Sequence, residues 1–206
     1  MVVHALVRDQ AKGRRLLPRG VRLFTGDVLR PQTLAAPMAG VGTVIVASCG
    51  TAEPGNSAEL VDYFGTTNLV RQAAVSGIDL FVFVSSIYVT RPEHYLDVEP
   101  TSLGWKARAE EAIRASGVPY CIIRSGWLTD GDGGEQLTLS QGDTLEGRIS
   151  RMDLARVCQS VLSLPSARGK TIDVVAAHGG SASSLEEAIA ALRPDGESTP
   201  SRATTG

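Results

Sequence analysis

Phe81-Val82-Phe83-Val84 runs directly into Ser85-Ser86. Four apolar, β-favouring residues with no polar alternation describe a strand covered on both faces, and such strands belong to parallel sheets with helices on either side. Val44-Ile45-Val46 reads the same way. Working outward, β-branched runs lie at Val3-Val7, Val21-Thr25, Thr43-Ala47, Leu80-Val84, Tyr120-Arg124 and Thr171-Val175. Helical patterns separate them. Asn56 with Glu59 suits a capping box opening a helix that runs to Gly77. Ser102 to Ser116 is a second, closed by Gly117-Val118-Pro119. Ser150 with Asp153 caps a third, with Leu154, Val157, Val161 and Leu162 on its apolar face. Ser184 with Glu187 opens a fourth that ends before Pro194. The β-α-β-α order predicts an α/β fold with a Rossmann-like, doubly wound parallel sheet. The domain is expected over residues 1–192, and the polar stretch 193–206 is expected to be a disordered tail.

Composition narrows the function classes. The 206 residues are 43% hydrophobic and 20% charged, enough to bury a core, and the net charge of -2 excludes a strongly basic nucleic-acid binder. No apolar run approaches the roughly 20 residues of a membrane helix, and the first residues lack the pattern of a signal peptide. Cys49, Cys121 and Cys158 are scattered, which argues for a reducing cytoplasm and against a disulfide framework. His4, His94 and His178 share no ligand spacing, so no metal site is expected. A small-molecule substrate is the partner that remains.

Ligands of open α/β sheets bind at the carboxyl ends of the strands. Arg8 follows the first run, where a guanidinium can pair with a ribose 2′-phosphate and so favour NADP over NAD. After the second, Asp27 can accept from an adenine amino group while Val28 packs on the ring; a turn leading to a helix near Pro31 would use Asp27 equally. Ala47-Ser48-Cys49-Gly50, Ser85-Ser86 and Ser125-Gly126-Trp127-Leu128 end three further strands with small or polar residues. Lys106 is one of only three lysines against 17 arginines, which suggests a required geometry; a surface pair with Glu110 is the plain alternative.

Taken with Val61-Asp62-Tyr63-Phe64-Gly65-Thr66-Thr67-Asn68, Trp105-Lys106-Ala107-Arg108-Ala109-Glu110-Glu111, Ser116-Gly117-Val118-Pro119-Tyr120 and Ile149-Ser150-Arg151-Met152-Asp153-Leu154-Ala155, these strand ends resemble the atypical short-chain dehydrogenase/reductases with an NAD(P)H-binding domain, the NmrA-like and sugar-epimerase-like group. The resemblance runs from Val3 to about Val175. It implies that Arg8 contacts the 2′-phosphate, Asp27 and Val28 hold adenine, and Ala47, Ser48 and Cys49 line the ribose and pyrophosphate. It places Ser85 and Ser86 near the nicotinamide, Lys106 on the nicotinamide ribose, and Ser125, Gly126, Trp127 and Leu128 around the carboxamide. It implies an NAD(P)-dependent oxidoreductase acting on a small carbonyl, quinone or sugar-like substrate, with Ser85, Ser86 and Lys106 as the catalytic set and NADP slightly preferred.

Two features depart from the pattern. Carbonyl-reducing relatives use Tyr-x-x-x-Lys, but Ser102 stands four residues before Lys106. Tyr88 is the remaining donor by loop position, although a partly exposed loop aromatic is its commoner role. The missing tyrosine suits equally a dinucleotide-sensing protein without turnover. The second departure is the Gly-rich phosphate loop, which has no counterpart near the first strand. Val3-Val7 matches the family's second strand, so the expectation is a sheet truncated at its N-terminal end, with an inactive fragment as a further reading. The alternative is a rearranged sheet with Val3-Val7 docked directly beside Thr43-Ala47.

Overall fold

The computed structural model describes residues 2–91, 102–177 and 184–196. The quoted stretch lies in a seven-residue strand, Leu80–Ser86, and the period-two geometry of a strand divides its side chains between two layers. Phe81 and Phe83 join Ile122 against one set of helices, while Leu80 and Val82 join Cys121, Ile123, Ile172 and Val174 against another. All of these are buried.

In chain order, β1 (His4–Val7) leads through α1 (Gln10–Leu16) to β2 (Arg22–Thr25), a 3-10 turn and α2 (Ala35–Met38). β3 (Thr43–Val46) is followed by a π-helix (Glu59–Gly65) continuous with α3 (Thr66–Ser76), then β4 (Leu80–Ser86). After α4 (Ser102–Arg114) come β5 (Tyr120–Ser125), β6 (Trp127–Thr129), β7 (Leu137–Ser140), β8 (Arg148–Ser150), α5 (Arg151–Leu162), β9 (Lys170–Ala176) and α6 (Leu185–Ala191). The main sheet has the order β3-β4-β5-β9-β7, parallel except for β7 at its edge. Helices α3 and α4 cover one face, and α5 with α6 the other. The doubly wound, Rossmann-like arrangement stands.

β1 and β2 form a parallel pair of their own. Among the described residues, β1 has a strand neighbour only on its β2 side and β3 only on its β4 side. The direct β1–β3 pairing held open as an alternative is not formed. Ile45 in β3 is 45% exposed, as expected for a strand with one uncovered edge. Side chains attach the β1–β2 pair instead. His4 Nδ1 lies 2.8 Å from the Pro37 carbonyl, Asn68 Nδ2 donates to the Val28 carbonyl at 3.0 Å, and Leu6 and Val28 pack on the first core layer.

Several local expectations change. Asn56 caps no helix: it accepts from Arg8 and donates to Thr51 Oγ1, and the helix opens as a π-helix after Ala58. Gly77, with φ of 64°, does end it. The caps at Ser150 and Ser184 form as read, the latter as a full capping box. β6, β7 and β8 are too short and mixed to have been read. Side-chain bonds reach past residue 192. Asp195 accepts from Thr171 N, Thr171 Oγ1, Tyr120 Oη and Arg114 Nε, so the chain through Asp195 is tied to β5, β9 and α4. Residues 197–206, most of the expected tail, lie outside the described residues.

Gly65, a costly residue inside a helix, has a packing reason. A Cβ there would come 2.6 Å from Val28 Cγ2, at the junction that attaches β1–β2. Gly104 in α4 has open space around its missing Cβ. Gly65→Ala is therefore expected to cost about 1–3 kcal/mol, and Gly104→Ala to add about 0.5–1 kcal/mol. Urea unfolding of the two variants checks both signs.

Candidate cofactor site

The carboxyl ends of β1, β2 and β3 converge on a cavity of about 180 Å³ lined by Leu6, Arg8, Gly26, Asp27, Val28, Leu29, Ser48, Cys49, Asn56 and Val61. Five of the expected cofactor residues, Arg8, Asp27, Val28, Ser48 and Cys49, are thus brought together by strands far apart in sequence. The Arg8 guanidinium donates to Asn56 Oδ1 at 3.1 Å, a bond between two residues of the lining. Asp27 Oδ1 accepts from Leu29 N at 2.9 Å, so the turn reading of Asp27 holds within the cavity lining. Ala47, next along the same strand end, is exposed.

The second part of the site is built around Lys106. It does not pair with Glu110. Its Nζ lies 3.7 Å from Asp62 Oδ1 and 5.4 Å from the Phe83 ring centroid, with the side chain only 12% exposed. Asp62 is 1% exposed and stands in the π-helix. Asp62 Oδ1 also accepts from Gly50 N at 3.0 Å, and Oδ2 has no hydrogen-bond partner among the described residues. Burial raises the Asp62 pKa, against the opposing pull of the Lys106 charge and the Gly50 N–H. Gly50 itself admits no side chain, because a Cβ would meet the Ser57–Ala58 backbone at 2.4–2.5 Å.

Ser85 and Ser86 end β4 beside Ser125, with Ser86 in register with Ser125. Their environments differ. Ser85 is buried and donates to Glu110 Oε1 at 2.7 Å, whereas Ser86 is half-buried. Glu110 is also gripped by Arg124, through Nε at 3.0 Å and Nη2 at 2.7 Å, and by Arg114 at 2.9 Å. Burial works against the Arg124 charge, but the Glu110 hydrogen bonds and charge, with Asp173, raise its pKa overall. Arg124 Nη1 stands 3.9 Å from Asp173, a fully buried carboxylate pushed up to about 6 by burial against the pull of Arg124 and the Asp143 N–H.

Beyond Ser125, Gly126 is pressed against the Gly147 carbonyl, where a Cβ would come to 2.6 Å, and Trp127 and Leu128 are exposed on β6. No cluster of metal-ligating residues forms among the described residues. No helix among them is long and apolar enough to cross a membrane. Sequence reading missed Asn56, Asp62, Glu110, Asp143 and Asp173. The available signal was a carboxylate set in an otherwise apolar stretch, as in Val61-Asp62-Tyr63-Phe64 and Ile172-Asp173-Val174.

A cavity at the strand ends with an arginine in its lining, and a half-buried lysine paired with Asp62, suit a dinucleotide, and the family model for NAD(P)H-binding proteins matches residues 1–165. The chain belongs to this NAD(P)H-binding family. Among its relatives is sanguinarine reductase of Eschscholzia californica, 29% identical over 84% of this chain and 78% of that protein. An uncharacterised chloroplastic protein of Arabidopsis thaliana is 28% identical over 98% of this chain, which spans only 64% of that protein. A putative NAD-dependent epimerase/dehydratase of Bacillus halodurans shares the fold with a TM-score of 0.77 at 22% identity, over 92% of this chain and 87% of the other. The expected kinship with atypical short-chain dehydrogenase/reductases therefore stands.

The raised Asp173 pKa has a sign. The folded state holds this proton more tightly than the unfolded chain does, so its contribution is fully present below about pH 4 and lost as pH rises through about 6. Asp173→Asn, which removes the titration, is expected to gain roughly 3 kcal/mol relative to the parent between pH 4 and pH 7, the size of a two-unit shift. Denaturant unfolding of both chains at the two pH values measures it.

Proposed function

We propose that this member of the NAD(P)H-binding family is an oxidoreductase that prefers NADPH and acts on a small carbonyl, quinone or sugar-like substrate. The observation that carries the reading is Lys106. An ammonium taken largely out of water needs a use, and here it is held between the Asp62 carboxylate and the Phe83 ring, close to the Gly50 loop. Orphaned Asp62 Oδ2 fits a hydroxyl donor, which the ribose of a dinucleotide provides. The bound dinucleotide supplies or accepts the hydride.

The chain's own residues do the rest. Lys106 holds the nicotinamide ribose, while Ala47, Ser48 and Cys49 border the ribose and pyrophosphate. Asp27 and Val28 receive adenine and Arg8 meets the 2′-phosphate. Ser86 is the β4 hydroxyl left to orient a substrate, since the Ser85 proton is donated to Glu110. Ser125, Gly126, Trp127 and Leu128 border the carboxamide end. The name of the Eschscholzia relative, a reductase, supports turnover. A dinucleotide-sensing protein without turnover is the second reading, favoured by the commitment of Ser85 to Glu110.

Arg8→Ala is expected to weaken NADPH binding about tenfold and leave NADH binding within about twofold, since only NADPH carries the phosphate. Isothermal titration of both dinucleotides checks it, and equal losses would remove the NADP preference. Consumption of NADPH with a panel of quinones and aldehydes separates the oxidoreductase from the sensor, which binds without oxidising.

A further inference from the structure

Only two non-glycine residues among the described residues have left-handed backbones, Tyr88 at φ 71° and Asp143 at φ 58°. They are hydrogen-bonded to each other. Asp143 Oδ1 accepts from Tyr88 N at 2.6 Å, and Oδ2 accepts from Thr90 N and Thr90 Oγ1, both at 2.8 Å. Asp143 is fully buried, and its own N–H donates to Asp173 Oδ2 at 2.6 Å. A bulky aromatic at positive φ is a genuine outlier, a place where glycine would form the turn without strain. Such strain persists only where surrounding groups over-determine it, and it concentrates at functional sites.

The surroundings do over-determine it. Ser85, at one end of the Ser85–Thr90 segment, is fixed by Glu110, which holds Arg124, which faces Asp173, which anchors Asp143, which grips Tyr88 and Thr90 at the other end. Ile87 N donates to the Ser125 carbonyl, keeping the segment beside the expected nicotinamide end. Arg91 lies over the Tyr88 ring, 4.9 Å from its centroid, and bonds the Leu145 carbonyl at 3.1 Å. A half-buried phenol is thus locked by its backbone and covered by a cation, three residues on.

We propose that Tyr88 is the proton donor of the reaction and that Asp143 is the residue that positions it. This rests on the oxidoreductase reading above. In the step, the substrate carbonyl carbon receives a hydride from the reduced dinucleotide as its oxygen takes the Tyr88 phenol proton. The C=O becomes CH–OH, the dinucleotide is oxidised, and the tyrosinate recovers a proton from water. Arg91 faces the ring over which the phenolate charge spreads. The Tyr-x-x-x-Lys pair that the sequence lacks is replaced by Tyr88 and Arg91, with Lys106 left to the ribose.

The test uses the full chain, NADPH fluorescence for binding and 9,10-phenanthrenequinone for turnover. Tyr88→Phe keeps the ring and the strained backbone, and is expected to lower kcat about 10²–10⁴-fold with NADPH affinity within about twofold. Asp143→Asn is expected to lower kcat in the same way, a split that a structural role alone would not produce. A readout independent of activity is the stability cycle of Asp143→Ala and Tyr88→Gly. With glycine at 88 the left-handed turn carries no strain, so the loss of melting temperature from Asp143→Ala is expected to be roughly halved. Wild-type turnover in Tyr88→Phe overturns the donor role alone, and additive stability losses overturn the positioning role. Failure of the parent chain to bind NADPH, or to reduce the quinone once NADPH is bound, overturns the oxidoreductase reading and the proposal with it.

Discussion

The bidentate grip of Arg124 on Glu110 is the contact on which the rest of the site depends. Both groups are almost fully enclosed, and neither charge could stay there alone. Two parallel N–H···O bonds satisfy the fork of the guanidinium and leave an edge to face Asp173, while Glu110 Oε1 accepts the Ser85 hydroxyl as well and Oε2 an Arg114 N–H. Removing either partner would strand a buried charge, a loss of about 3–5 kcal/mol. The pair joins α4 to β5 and reaches both β4 and β9, so it fixes the strand ends from which the site is built.

The same network explains why side chains of similar chemistry have different fates. Ser85 and Ser86 are neighbours in sequence, yet the pleat turns one inward to Glu110 and leaves the other half-buried. Glu110 and Asp62 could each have paired with Lys106, one through helical spacing and the other across the fold. The arginines claim Glu110, so Lys106 goes to the π-helix. Competition among buried charges, rather than proximity along the chain, decides which groups face a ligand.

Much of the fold was legible because it rests on local pattern. The apolar run in β4, the caps at Ser150 and Ser184 and the stop at Gly77 are decided within a few residues, and all form as read. The strand-end rule also led to the cavity residues, since it follows from topology alone. What could not be read depends on distant partners. Asp62 looks like any helical acid until Gly50 and Lys106 are placed around it. Asn56 looks like a cap until Arg8 arrives from β1. Asp195 sits in a polar segment with no apolar anchor, and its hold on Thr171, Tyr120 and Arg114 has no sequence signature. Gly65 announced a close contact but not that Val28 would make it.

The separation of β1–β2 from the main sheet has a mechanical consequence. Strands β3, β4, β5, β9 and β7 share a continuous ladder, and opening it would break many hydrogen bonds at once. The β1–β2 pair is joined to that body by the Val28–Gly65 contact, the Asn68, His4 and Arg8–Asn56 bonds and a little apolar surface. Regions with few such ties open at lower free energy than ladder-bound cores. The cavity therefore has walls of unequal stiffness: its Arg8, Asp27 and Val28 side belongs to the lightly tied pair, while its Ser48, Cys49 and Val61 side belongs to the ladder-bound body.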